Sequence, residues 1–318
     1  MTALDIMRIN FYTGVPDSTL KPLCNYLTHT YGVSDRHLIA ANEGNAVALA
    51  AGHYLATGDI PCVYMQNSGL GNIINPVASL LHDKVYAIPC VFIIGWRGEP
   101  GVKDEPQHRF QGGVTLDLLE VMGIRYMIID EDSTIDDLKE KQEEFKSLLA
   151  KGKSIAFVIK KGALTYKEEV EYKNEYSLSR EEVIQSLVTA AGNDIIVSTT
   201  GKTSRELFEI RKRNGQSHKQ DFLTVGSMGH SSSIALAIAL SKPNTKVWCI
   251  DGDGALLMHM GSMGLIANCA PKNYIHVVIN NEAHESVGGM PTVASTMDLP
   301  QIALGFGYRS AYSISTSD

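Results

Sequence analysis

Three places in the chain carry residue types that can do chemistry. Gly252-Asp253-Gly254 follows the apolar run Val247-Trp248-Cys249-Ile250, and Asn280-Asn281 follows a second apolar run after a gap of 25 residues. Asp supplies a hard anionic oxygen and Asn a neutral amide oxygen. The glycines let a ligand approach the backbone, and helix N-termini after the strands favour a phosphate. Mg²⁺ wants six oxygens and takes few of them from protein. Asp253, one Asn oxygen, a backbone carbonyl, a diphosphate and water would complete its shell. A tight turn accounts for either motif alone, but the pair after two strands points to a site. The third place is Glu43 in Asn42-Glu43-Gly44-Asn45, after Leu38–Ala41, at the start of an Ala-rich helix. The helix dipole favours an acid there in any protein.

The elements that must position these residues alternate between strand and helix. Strands are expected at Asn10–Thr13, Leu38–Ala41, Cys62–Gln66, Cys90–Ile94, Tyr126–Ile129 and Ile155–Ile159. Helices are expected between them at Ser18–Thr28, Asn45–Ala56, Ile73–Leu81, Thr115–Met122 and Thr134–Leu149. A polar, charged stretch follows. Then Ser179-Arg180-Glu181-Glu182 reads as a capping box opening a helix that Gly192 ends. Strands are expected again at Ile195–Thr199, Phe222–Val225, Lys246–Ile250, Tyr274–Ile279 and Tyr308–Tyr312. Helices are expected at Ser204–Arg213, Ser231–Ser241, Ala255–Asn268 and Leu299–Gly305. This alternation predicts an α/β fold of two doubly wound, mainly parallel-sheet domains, at 1–161 and 179–318, joined by a linker at 162–178. Ligands of such sheets gather at the carboxyl ends of the strands, where both Gly252–Gly254 and Asn280-Asn281 fall.

Composition narrows the classes. The chain has 318 residues, is 44% hydrophobic and 20% charged, and carries a net charge of −7. These values suit two globular domains and give no electrostatic reason to expect nucleic acid. Five scattered cysteines without a CxxC pair argue against a structural zinc site or a disulfide framework and suit a reducing, cytoplasmic setting. The longest strongly apolar stretch, Val85–Trp96, is too short to span a bilayer. Gly69-x-Gly71 lacks the third glycine of a dinucleotide fingerprint, having Ile74 in its place, so a nicotinamide dehydrogenase is rejected.

The spacing of Gly252-Asp253-Gly254 and Asn280-Asn281 resembles the cofactor signature of the thiamine-diphosphate-dependent decarboxylases. Gly226-Ser227-Met228-Gly229 is similar to the loop that, in this family, lies against the aminopyrimidine and sets a large apolar side chain, here Met228, beneath the bent cofactor. Thr200-Gly201-Lys202-Thr203 is similar to the family's turn near the diphosphate. The resemblance thus implies cofactor contacts from Thr200, Gly201, Gly226, Ser227, Met228, Gly252 and Gly254. It implies a Mg²⁺ held by Asp253, Asn281 and the Ala283 carbonyl, with Asn280 open as an alternative ligand. Asn42-Glu43-Gly44-Asn45-Ala46 with Ala50-Ala51-Gly52 resembles the family's glutamate segment. There the glutamate hydrogen-bonds the pyrimidine and promotes formation of the ylid that attacks the substrate. The family also pairs the glutamate domain of one chain with the diphosphate domain of another, implying a homodimer or higher oligomer with shared sites.

The direct passage from one cofactor domain to the other resembles the phosphonopyruvate and sulfopyruvate decarboxylase group, and the first more than the second. Thr13-Gly14-Val15-Pro16-Asp17-Ser18, Gln66–Asn72, Trp96–Gly101, Asp104–His108 and Ala283–Gly289 carry this likeness. It implies a 2-oxo acid bearing a phosphonate as substrate. Asp17, and His108 on a loop, would handle protons. Arg97, Lys103, Arg109 and His284 are candidates to hold the phosphonate. Sulfopyruvate as substrate, or an inactive cofactor-binding subunit, are the competing expectations. The second domain looks short at its C-terminal end beside such enzymes.

Overall fold

Runs of aliphatic residues build two parallel sheets. The computed structural model describes residues 9–170, 176–287 and 289–316. The chain divides into one unit of Met1–Glu171 with Val287–Met290 and another of Tyr172–Ser286 with Pro291–Asp318. Residues 171–175 of the expected linker lie outside the described residues.

The first unit holds strands β1 (Tyr12–Gly14), β2 (His37–Ile39), β3 (Cys62–Gln66), β4 (Val91–Gly95), β5 (Arg125–Ile129) and β6 (Ile155–Ile159), in the order β2-β1-β3-β4-β6-β5. All neighbours are parallel, with Cys62 opposite both Tyr12 and Val91, and Val91 opposite Ile155. Strands β4 and β6 are buried along their whole length, Val91-Phe92-Ile93-Ile94-Gly95 and Ile155-Ala156-Phe157-Val158-Ile159. Strands covered by helices on both faces lose the polar alternation of a half-exposed sheet. One face is packed by α2 (Glu43–Thr57) and α3 (Leu70–Pro76) through Ala46, Val47, Ala50, Ala51 and Ile73. The other is packed by α1 (Lys21–Tyr31) and α5 (Ile135–Ala150) through Leu23, Leu27, Phe145 and Leu149. Thr134 and Asp137 cap α5 reciprocally, an arrangement worth about 1 kcal/mol.

The second unit has β7 (Ile195–Ser198), β8 (Asp221–Leu223), β9 (Val247–Gly252) and β10 (Tyr274–Ile279), ordered β10-β9-β7-β8 and all parallel. Helices α6 (Arg180–Ala191) and α7 (Lys202–Arg213) cover one face through Ile184, Val188, Leu207 and Ile210. Helix α8 (Ser231–Ser241) covers the other through Ala235 and Ala239. Each unit is thus a doubly wound α/β layer structure. Among the described residues no helix is long and apolar enough to cross a membrane.

Three expectations fail locally. The helix expected at Thr115–Met122 starts nine residues earlier, as α4 (Pro106–Val121), and so carries His108, which was expected on a loop. Gly112 is needed where its backbone lies on Gly98: a Cβ at Gly112 would meet the Gly98 oxygen at 1.7 Å. Trp96 Nε1 also donates to the Gly112 carbonyl at 2.9 Å. The helix expected at Ala255–Asn268 is two, α9 (Asp253–Met258) and α10 (Ser262–Cys269), because the chain leaves the helical region at His259 (φ −136°). No strand forms at Tyr308–Tyr312. Tyr308 instead packs behind α10 and α11 (Leu299–Phe306), and its hydroxyl meets His276 Nδ1 at 3.1 Å.

Candidate active site

Ligands of open α/β sheets bind outside the carboxyl ends of the strands, and the residues marked by the motifs fall there in each unit. In the first unit Asn42 is extended and caps α2, its side chain accepting from the Asn45 amide, so Glu43 becomes the first helical residue. Glu43 is 5% exposed. Its Oε2 accepts from Asn72 Nδ2 at 2.7 Å. Gly69 provides its space: a Cβ there would lie 2.5–2.7 Å from the Glu43 Cγ, Oε1 and Cδ atoms.

Asp17, fully buried after β1, accepts from the Thr19 and Leu20 amides at 2.9 and 3.2 Å and from Gln66 Nε2 at 2.5 Å. It therefore caps the turn into α1 and orients Gln66, which in turn accepts from Ser68 at 2.8 Å. Arg97, after β4, is clamped by Asp104 through Nε and Nη2 at 2.7 and 2.5 Å, while Nη1 donates to Ser18 at 3.1 Å. The Arg97 guanidinium holds the Asp104 carboxyl far below the usual carboxylate range, and Asp104 raises Arg97 in return. The Arg97 charge is thus already matched inside the protein. Asn67 locks this loop, donating to the Arg97 carbonyl and accepting from the Arg97 amide at 2.8 and 3.1 Å. On α4, His108 is half-buried and its pKa is lowered, first by burial and then by the Arg97 charge. Its Nδ1 is buried and has no hydrogen-bond partner among the described residues. Lys103 and Arg109 are exposed.

The second unit brings its motifs to the ends of all four strands. Thr200 follows β7, and its hydroxyl donates to the Val225 carbonyl at 2.8 Å; Gly201, at φ +86°, caps α7. After β8, Gly226 leads into Ser227, which holds φ +54° with its hydroxyl 3.0 Å from His230 Nδ1. Met228 is half-buried, and its Cε would lie 3.2 Å from a Cβ added to Gly254. The His284 ring would lie 3.3–3.4 Å from the same added Cβ. Burial pushes the His284 imidazole down to about 4, so at neutral pH it is an uncharged group and not a cation for an anionic substrate.

Gly252 ends β9 and Asp253 begins α9, 4% exposed. Burial raises its carboxyl, against the hydrogen bond from Thr292 Oγ1 to Oδ2 at 2.5 Å. The Asn281 side-chain oxygen lies 3.2 Å from Asp253 Oδ1 and 2.9 Å from the Ala283 carbonyl oxygen; only with the amide turned over would nitrogen donate to both. In the unturned orientation Nδ2 reaches Glu285 at 3.4 Å. Turned so that its nitrogen faces them, the Asn281 amide bridges the Asp253 carboxylate and the Ala283 carbonyl; turned the other way its oxygen joins theirs, and such a carboxylate, amide and carbonyl set fits Mg²⁺. Asn280 faces elsewhere, its oxygen accepting the Glu282 amide at 3.1 Å. Glu285 is bound by Arg180 and Lys202, both at 2.5 Å.

Asn72, Gly69, Gln66 and Thr292 have structural parts that the motifs did not assign. The first three lie in the string Gln66–Asn72, whose likeness was noted without roles. Thr292 has no local signal, since it meets Asp253 across 39 positions of sequence.

Comparison with known proteins agrees with this geometry. The N-terminal TPP binding domain of thiamine pyrophosphate enzymes matches residues 1–121, and the C-terminal TPP binding domain matches residues 199–318. The full chain is 36% identical to phosphonopyruvate decarboxylases of Streptomyces hygroscopicus and Streptomyces viridochromogenes, spanning 80% and 81% of their lengths. A sulfopyruvate decarboxylase of Methanosarcina acetivorans is 30% identical over 87% of this chain and 74% of its own length. The chain belongs to the thiamine pyrophosphate enzymes, in the family of the phosphonopyruvate decarboxylases.

Proposed function

We propose that this chain is a thiamine-diphosphate- and Mg²⁺-dependent lyase that decarboxylates 3-phosphonopyruvate to phosphonoacetaldehyde and CO₂, in phosphonate biosynthesis. The observation that carries the reading is the gathering of the Asp253 carboxylate, the Asn281 amide and the Ala283 carbonyl, the amide lying 3.2 and 2.9 Å from the other two. The choice of substrate is supported by full-length identity to phosphonopyruvate decarboxylases, higher than that to the sulfopyruvate decarboxylase. When bound, the cofactor supplies a stabilised carbanion and an electron sink.

The chain's own residues then divide the work. Asp253, Asn281 and Ala283 hold Mg²⁺ against the diphosphate, with Thr200, Gly201, Gly252 and Gly254 lining its path. Gly226, Ser227 and Met228 support the cofactor, Met228 by its bulk. Glu43 exchanges a proton with the pyrimidine through Oε1, since Asn72 occupies Oε2. His108, neutral at pH 7, moves a proton to or from the substrate carbon, and Asp17 acts with it through the orientation of Gln66. Lys103, Arg109 and the outer edge of Arg97 attract the phosphonate, with His284 as a neutral donor. A homodimer or higher oligomer completes each site, Glu43 of one chain serving the diphosphate unit of another.

The test is to supply the purified protein with thiamine diphosphate and Mg²⁺ and compare aldehyde release from phosphonopyruvate, sulfopyruvate and pyruvate. Phosphonopyruvate is expected to be the preferred substrate. A preference for sulfopyruvate would transfer the substrate and keep the residue roles. No turnover of any of the three by folded, cofactor-loaded protein would reduce the chain to a binding subunit.

A further inference from the structure

We infer that Thr292 is a positioning residue that engages Oδ2 of Asp253, turns Oδ1 toward the cation and so tunes the site toward Mg²⁺ and away from larger ions. The inference rests on the metal reading of Asp253, Asn281 and Ala283 given above.

Thr292 is 5% exposed and makes three polar contacts. Its hydroxyl donates to Asp253 Oδ2 at 2.5 Å. The same hydroxyl oxygen accepts from the Ala294 amide at 3.3 Å. Its backbone amide donates to the Glu282 carbonyl at 2.8 Å, one residue from Ala283. Because Ala294 is a donor, the single hydroxyl proton has only the carboxylate to serve. Oδ2 is thereby engaged, and Oδ1 is the oxygen that faces Asn281. The backbone bond at Glu282 keeps the Asn281–Ala283 segment in step with the same threonine.

This arrangement discriminates between cations by coordination. Mg²⁺ is small, demands near-octahedral geometry and takes one oxygen per carboxylate. Ca²⁺ accepts more ligands and readily takes both oxygens of a carboxylate. A hydroxyl proton on Oδ2 blocks the second mode.

The experiment is calorimetric titration of Mg²⁺ and of Ca²⁺ into the full-length protein with saturating thiamine diphosphate, alongside thermal unfolding of each variant. Thr292→Ser keeps the hydroxyl and is expected to stay within about twofold of wild type for both ions. Thr292→Val is expected to lose about 10–100-fold in Mg²⁺ affinity, the usual effect of removing a partner behind a metal ligand. Ca²⁺ is expected to lose far less, so the Mg²⁺/Ca²⁺ ratio falls by about tenfold. Thr292→Ala, which does not bury an extra methyl, is expected to give the same shift in ratio and serves if the valine variant fails to fold. An unchanged ratio in whichever variant folds overturns the inference, as does equal weakening of both ions. Wild-type protein that binds thiamine diphosphate but neither ion overturns the metal reading itself.

Discussion

Glu43 and Asp253 occupy the same local position in two different units, and the difference between them lies entirely in their neighbours. Each follows a parallel strand, each is the first residue of a helix behind an extended capping residue, and each is buried. Glu43 meets an amide donor, Asn72, and a glycine that leaves room for its carboxyl. Asp253 meets a hydroxyl donor, Thr292, and two further oxygens. One helix start therefore suits proton exchange and the other a divalent cation. Asp104 sharpens the contrast: its partner is a guanidinium, which consumes the carboxylate's charge. Neutral donors orient a carboxylate and leave its charge available, whereas a salt bridge turns it into structure.

Three substitutions test this division. Glu43→Gln is expected to lower kcat by about 10²–10⁴-fold, the range for a lost acid–base group, with cofactor and Mg²⁺ affinities close to wild type. Turnover near the wild-type rate would remove Glu43 from its role. Gly69→Ala is expected to be milder. The new Cβ meets the mobile end of Glu43 and not backbone, so the carboxylate swings aside at small cost to stability. We expect kcat to fall by about tenfold, equivalent to about 1.4 kcal/mol, with Mg²⁺ affinity unchanged. If kcat is unaltered, the close fit around Glu43 has no catalytic meaning.

Asp104→Asn is expected to cost about 2 kcal/mol of stability at pH 7 through lost charge-assisted bonds to Arg97, leaving Mg²⁺ affinity as it was. The folded pKa of Asp104 lies below its unfolded value, so its contribution is fully present above about pH 4. It is lost as pH falls through the folded value, below the usual carboxylate range. Thermal melts from pH 7 downward should show a constant gap between wild type and variant that closes only in strong acid. A gap that closes near neutrality would place another group in control.

Much of this was legible in the chain itself. The apolar runs of β3, β4 and β6 mark strands because a buried parallel strand needs side chains that suit both faces. Gly252-Asp253-Gly254 and Asn280-Asn281 point to a sheet-edge site because their residue types fit little else when paired. Where the reading failed, a distant contact outweighed a local preference. The helix expected from Thr115 runs instead from Pro106 through Gly112, which packs on the Gly98 backbone. The chain also gives no sign that Asp104 takes two of the Arg97 nitrogens.

Residue order by itself thus determined the α/β alternation and the carboxylates at the helix starts, which follow from local periodicity and backbone preference, while the family showed through the likeness of its motifs. Tertiary structure alone decided which neighbour each carboxylate meets: Asn72 for Glu43, Thr292 and Asn281 for Asp253, Arg97 for Asp104. Those partners lie as many as 39 positions away and meet only when the strands align, which no local rule of the backbone encodes.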